Sequence, residues 1–108
     1  MVIWMTNKKM KVITICGSLK FKNEMFDIAG RMSFEGNCVL MPIFTAFTNN
    51  NITEEQISKL KEAHFKRIEL SDVILVVNVN NYVGNSTKSE IEYAKKLDKE
   101  IVYYTDLK

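Results

Sequence analysis

The sequence predicts one small α/β domain built on a doubly wound parallel sheet of about four strands, in the order 2-1-3-4, with helices on both faces. Three observations predict it. Short β-branched runs alternate along the chain with segments of helical period, the pattern of strands joined by crossover helices. The run Asp72 to Val79, DVILVVNV, is almost continuously apolar, as a strand covered on both faces must be. At 108 residues the chain has enough length for one core and none for a second, so residues 1–108 are read as a single domain. Right-handed crossovers then restrict the topology to a Rossmann- or flavodoxin-like arrangement.

The first strand is Lys11 to Cys16, KVITIC, which ends at the turn Gly17-Ser18. From Lys20 to Glu35, Met25, Ile28, Ala29 and Met32 recur at helical spacing, and Gly36 follows where a capping glycine belongs. Asn37 to Met41 reads as a second strand closed by Pro42, which has no amide to give a ladder. Ile43 to Asn51 lacks a period and reads as a surface loop able to serve as a lid. Thr53-Glu54-Glu55-Gln56 is a capping box, and the stripe Ile57, Leu60, His64, Ile68 carries a second helix to about Leu70. After the third strand, Asn80 to Ser86 is polar and contains Gly84. Thr87 then opens a third helix on Ile91, Ala94 and Leu97, ending near Asp98, and Glu100 to Tyr104 supplies the fourth strand. Met1 to Lys9 reads as a flexible arm, an edge strand or a partner contact.

Fifteen basic against 13 acidic side chains give a net charge of +2, too even for a groove that must displace counterions from a nucleic-acid polymer, though compatible with a small anion. The longest apolar runs, such as Val73 to Val77, fall far short of the roughly 20 residues of a membrane span, and Met1 to Met10 lacks the apolar core of an export signal. No membrane association and a cytoplasmic location are expected. Cys16 and Cys38 each sit in an apolar run and are expected to be buried thiols. Two cysteines without CxxC spacing and a single histidine do not make a structural zinc site, so no metal is expected. The absence of both GxGxxG and P-loop patterns disfavours a dinucleotide or an ATP-hydrolysing site, and no cofactor is expected.

In such sheets ligands bind outside the carboxyl ends of the strands, where the strand order reverses, which here is between strands one and three. Two loops leave those ends, Gly17-Ser18-Leu19-Lys20 and Asn80 to Ser86, and each runs into a helix N-terminus suited to a phosphate or carboxylate. Gly17-Ser18 reads equally as a tight turn with Ser18 as cap. Glu90 has two readings as well. Thr87-Lys88-Ser89-Glu90 matches a capping box, and a carboxylate in the first helical turn at the switch point, kept ionised by the helix terminus, suits a nucleophile. His64 reads as a packed core residue or as an acid. Asn78 and Asn80 offer amides to a sugar or base edge, and Asp72 is a turn or cap residue.

Three segments resemble the nucleoside 2-deoxyribosyltransferase superfamily, which includes deoxynucleoside 5′-monophosphate N-glycosidases. They are Ile15-Cys16-Gly17-Ser18-Leu19-Lys20, the stretch His64 to Asp72 (HFKRIELSD), and Gly84-Asn85-Ser86-Thr87-Lys88-Ser89-Glu90-Ile91-Glu92-Tyr93-Ala94, which together span most of residues 11–104. The resemblance implies that Glu90, rather than Glu92, attacks the anomeric carbon to form a glycosyl-enzyme that water or a second base resolves. It implies that Gly17, Ser18, Lys20, Gly84, Ser86 and Thr87 bind substrate, and Asn78, placed by its position at the end of strand three, joins them. His64 stands where the family usually has an aspartate, and could act as acid or hold a ribose hydroxyl. No counterpart is evident to the asparagine that transferases lend a neighbouring subunit, which favours hydrolysis over base transfer. The resemblance also implies a homodimer or larger homo-oligomer.

The leading reading is therefore an N-glycosidase or glycosyltransferase acting on a nucleoside or nucleoside 5′-monophosphate, and it requires His64 and Glu90 to line one pocket. The alternatives are a non-enzymatic module that binds a nucleotide or sugar phosphate, and an interaction domain without a small ligand.

Overall fold

The computed structural model describes residues 9–44 and 51–107; residues 1–8 of the predicted arm and 45–50 of the predicted lid lie outside them. The strands are β1 (Val12–Gly17), β2 (Cys38–Leu40), β3 (Val73–Val77) and β4 (Glu100–Tyr103), and the helices α1 (Lys22–Phe34), α2 (Glu54–Leu70) and α3 (Asn85–Lys96). The sheet has the predicted order β2-β1-β3-β4, and every neighbouring pair is parallel. Its longest pairing joins β1 to β3, from Ile13 opposite Val73 to Gly17 opposite Val77.

The two-residue period of these strands divides the core in two. Ile13, Ile15, Val73, Leu75 and Val77 pack with Met25, Ile28 and Met32 of α1. Cys16, Ile74 and Val76 pack on the opposite face with Ile68 of α2 and with Ile91 and Ala94 of α3. Burying each of the larger side chains stabilises the fold by roughly 1.5 to 3 kcal/mol.

Polar groups fix how α2 sits on this sheet. Its N-terminus carries the predicted capping box, with Thr53 Oγ1 accepting from Gln56 N–H at 3.1 Å and Thr53 N–H donating to Gln56 Oε1 at 2.9 Å. At the other end, carbonyls that have no partner within the helix find one outside its ladder. The buried Thr14 hydroxyl of β1 donates to Arg67 O (2.9 Å), Ser71 Oγ to Ile68 O (2.8 Å) and Lys99 Nζ to Glu69 O (3.1 Å). Asp72 clamps the start of β1, its N–H donating to Val12 O and its carboxylate accepting from Val12 N–H, both at 2.8 Å.

Beyond shifts of one or two residues at other element ends, four boundaries or environments differ from the sequence reading. α3 starts at Asn85 with Gly84 as N-cap, because Lys88 N–H already bonds Gly84 O at 2.9 Å. Thr87 is therefore a buried first-turn residue and not a cap, and Glu90 lies in the second turn, outside any capping box. β3 stops at Val77, after which Asn80 and Asn81 take left-handed backbone conformations (φ 54° and 63°) that asparagine tolerates well. The first helix is preceded by a 3₁₀ turn, Leu19–Phe21, and becomes α-helical only at Lys22. Cys38 is exposed, because β2 is an edge strand and this residue begins it, whereas Cys16 is fully buried. Among the described residues no helix is long and apolar enough to cross a membrane.

Gly17 closes β1 with φ +151°, and a Cβ there would lie 2.9 Å from both Val77 O and Met25 Cε. Met25 can give way but the β3 carbonyl cannot. Gly17→Ala is expected to lower unfolding stability by about 2 kcal/mol or more, measured by denaturant titration. An unchanged midpoint would show that this approach is not tight.

Candidate functional site

A cleft of about 470 Å³ opens above the carboxyl ends of β1 and β3, within the size range of small-molecule sites. One wall is the turn after β1, with Gly17, Ser18 and Leu19, and another is the start of α3, from Gly84 to Thr87 and on to Glu90. The third is α2, whose Ile57, Leu60, Lys61, His64 and Arg67 all face the opening. The helical stripe read from the sequence thus changes function along its length: Ile68 is core, His64 is at the cleft floor, and Ile57, 42% exposed, overhangs the entrance. A wider depression of about 590 Å³ lies on the outer face of α2 and α3, lined by Phe65 and Tyr93 among others, and includes none of the site residues read from the sequence.

Of those residues, Gly17, Ser18, His64, Gly84, Ser86, Thr87 and Glu90 all line the cleft. Lys20 and Asn78 are not part of its walls. The Lys20 ammonium sits 3.5 Å from the centre of the Tyr82 ring, and Asn78 Oδ1 accepts from Thr105 N–H at 3.2 Å, tying β3 to the segment after β4. Ser18 does cap, weakly, accepting from Lys20 N–H at 3.4 Å.

The floor is a cluster from three elements. His64 Nε2 of α2 is 3.6 Å from Cys16 Sγ of β1 and 3.8 Å from Glu90 Oε1 of α3, and the His64 and Glu90 side chains are only 8% and 15% exposed. Burial governs their protonation. It pushes Glu90 up from 4.5 to about 7, against a small opposing effect from a hydrogen bond with Cys16. The expectation that the helix terminus keeps Glu90 fully ionised is therefore corrected: in the second turn, desolvation outweighs the dipole, which fades within the first turn. Burial and then the nearby Arg67 cation push His64 down from 6.5 to about 4, with a backbone hydrogen bond to Ile15 working the other way. Burial, followed by the charge and hydrogen bond of Glu90, raises the Cys16 thiol well above its usual range. The His64–Glu90 contact at neutral pH therefore involves an uncharged imidazole and is not an ion pair.

Cys16, His64 and Glu90 carry donor atoms of metal-binding type, all within 4.8 Å of one another. Burial, with the charge of Glu90 beside it, makes the thiol hold its proton when no cation is bound. Sequence reasoning missed Cys16 as a floor residue, because a cysteine in an apolar strand signals only burial. It also missed Lys61 and Arg67, three residues to either side of His64 on one helical face, a spacing that would have revealed them once His64 was placed in a cleft.

The two shifts have opposed consequences for stability. Between pH 4.5 and about 7 the folded protein retains a Glu90 proton that the unfolded chain has released, so stability falls as pH rises through that window. Between pH 6.5 and about 4 the unfolded chain takes up a His64 proton that the folded protein refuses, so stability falls as pH drops. The slopes oppose each other where the windows overlap. Glu90→Gln should exceed the parent in stability above pH 7, by on the order of 3 kcal/mol, and should show an unmasked loss on acidification below pH 6.5. Denaturant unfolding across pH checks this, and a variant that tracks the parent at every pH contradicts it.

No family model and no curated protein matches this sequence. Among solved structures, a 2-desoxiribosyltransferase from Leishmania mexicana is similar with a TM-score of 0.65 at 20% identity, over 87% of this chain and 63% of that one. A CMP N-glycosidase from Clostridium botulinum is similar with a TM-score of 0.59 at 19% identity, over 86% of this chain and 70% of that one. The chain thus spans somewhat under two thirds of the first of these proteins, and at such identities what is shared is the fold. On that evidence the chain has the fold of nucleoside 2-deoxyribosyltransferase-like proteins.

Proposed function

We propose that this single domain is an N-glycosidase or glycosyltransferase that cleaves the N-glycosidic bond of a nucleoside or nucleoside 5′-monophosphate, with Glu90 as nucleophile. The observation that carries the reading is the placement of a largely buried carboxyl at the floor of a cleft between two helix N-termini, and the same burial pushes its titration up to about 7. The similarity in fold to a deoxyribosyltransferase and a CMP N-glycosidase supports the reaction class.

In the first step a Glu90 carboxylate oxygen bonds to the anomeric carbon, the bond to the base nitrogen breaks, and its electron pair leaves with the base, which takes a proton from water. In the second, water adds to the anomeric carbon, Glu90 departs as carboxylate and the proton passes to solvent. A second base in place of water gives transfer instead. Gly17, Ser18, Ser86 and Thr87 line the helix starts and would seat the sugar or its phosphate. His64, uncharged at neutral pH, serves as a hydrogen-bond donor and not as an imidazolium acid. The apolar Ile57 and Leu60 would lie against the base.

The reading extends to a cytoplasmic location and to a homo-oligomer, the latter supported by the small core and by Phe34, 96% exposed; a monomeric mass in solution would remove that part. A second reading, a binding module without catalysis, is favoured by one feature: His64, uncharged at neutral pH, has no imidazolium proton to give a departing base.

Incubation with a panel of nucleosides and 5′-monophosphates should release free base, with kcat/KM rising as pH increases through about 7 while Glu90 ionises. Glu90→Gln should lower kcat by roughly 10³-fold or more. Equal release by the variant rejects the nucleophile, whereas tight binding with the ligand recovered intact selects the binding module.

A further inference from the structure

His64 is the one histidine of the chain, and Arg67 reaches it from one turn further along α2, with Nη1 3.3 Å from Nδ1. A guanidinium has only donors to offer, so Nδ1 must accept and the single proton of the neutral ring belongs on Nε2. Nε2 is the nitrogen that faces Cys16 and Glu90. Arg67 is itself held in place, because its carbonyl takes the hydrogen bond of the buried Thr14 hydroxyl and so ties this turn of α2 to the strand that carries Cys16.

We propose that Arg67 is a positioning residue that, by donating to His64 Nδ1, holds the imidazole as an Nε2–H donor toward Glu90 and leaves the carboxylate free to act as nucleophile. Its catalytic consequence rests on the nucleophile reading above; the choice of tautomer does not. In the opposite tautomer the Nε2 lone pair would face Glu90, repelling its carboxylate and competing for its proton. The groups that face or neighbour the ring are Arg67 and Lys61 from α2, Cys16 and the Ile15 backbone from β1, and Glu90 from α3. Cys16 is held as a thiol by burial, so Arg67 is the permanent charge in contact with the ring. Its cation also opposes protonation of the ring, in keeping with the depressed titration of His64.

The presence of one histidine makes the test direct: nitrogen-15 spectra of the labelled imidazole across pH. In the parent at pH 7, Nε2 should be pyrrole-like and Nδ1 pyridine-like, with titration near 4. Arg67→Ala should give mixed tautomers and a midpoint moved toward 6.5, while Arg67→Gln, which keeps an amide donor without the charge, should retain the tautomer and shift only the midpoint. If base release is observed, Arg67→Ala should lower kcat by about 10- to 100-fold with KM little changed, and Arg67→Gln should restore most of the loss. An Nδ1–H tautomer in the parent, which needs no variant to detect, or spectra unchanged in Arg67→Ala, overturns the proposal. A parent with the Nε2–H spectrum and no base release instead defeats the nucleophile reading while Arg67's hold on the ring stands.

Discussion

The pairing of β1 with β3 is the constraint from which the rest of the molecule follows. Apart from the buried Thr14 and the closing Gly17, both strands are apolar through their paired length and buried on both faces, so neither helical layer can be left out: α1 must cover one side, and α2 with α3 the other. Because β2 lies beyond β1 and β4 beyond β3, the chain turns outward in opposite directions from this pair, and its two loops part above it. The cleft is the gap they leave. Gly17, where a Cβ would collide with the Val77 carbonyl, is the last β1 residue paired with β3 before that gap opens.

The floor of the cleft balances the cost of buried polar groups by keeping each near neutrality. An isolated buried charge is far more costly than an unpaired dipole, and the thiol, imidazole and carboxyl each shift toward the uncharged form. They meet at hydrogen-bonding or near-contact distances, so none is left without a polar neighbour. Fixed charge is confined to the wall, where Lys61 and Arg67 remain partly in solvent. This division leaves the floor able to change charge by a single proton at neutral pH, while the wall retains its sign.

The strand order and helix layers were legible because hydrophobic period reports which faces are covered, and β3 with its unbroken apolar run placed itself at the centre. Helix starts were less legible. Asn85, Ser86 and Thr87 are of types that can precede or open a helix, and only the long-range packing that buries Thr87 and the Lys88 N–H bond to Gly84 O place the start before it, which moves Glu90 from the first turn to the second. That one-turn shift matters chemically, since it exchanges the influence of the helix dipole for that of desolvation. Lys20 and Asn78 illustrate the opposite limit. Both lie near the correct strand ends in sequence, yet a ring in the next loop holds the ammonium and a backbone amide from the chain's end holds the side-chain carbonyl. Long-range partners of that kind leave no trace in local spacing.

The two thiols occupy opposite extremes, Cys38 open to solvent on the edge strand and Cys16 sealed beneath the cleft with its proton tightly held. Alkylating reagents therefore meet two populations in one molecule. The first is open to reagent in the folded protein. The second is reached only when α2 or α3 lifts from β1, so the slow phase of labelling counts openings of the floor itself. The protein carries its own clock for the motion of its candidate site, with an internal standard on the surface.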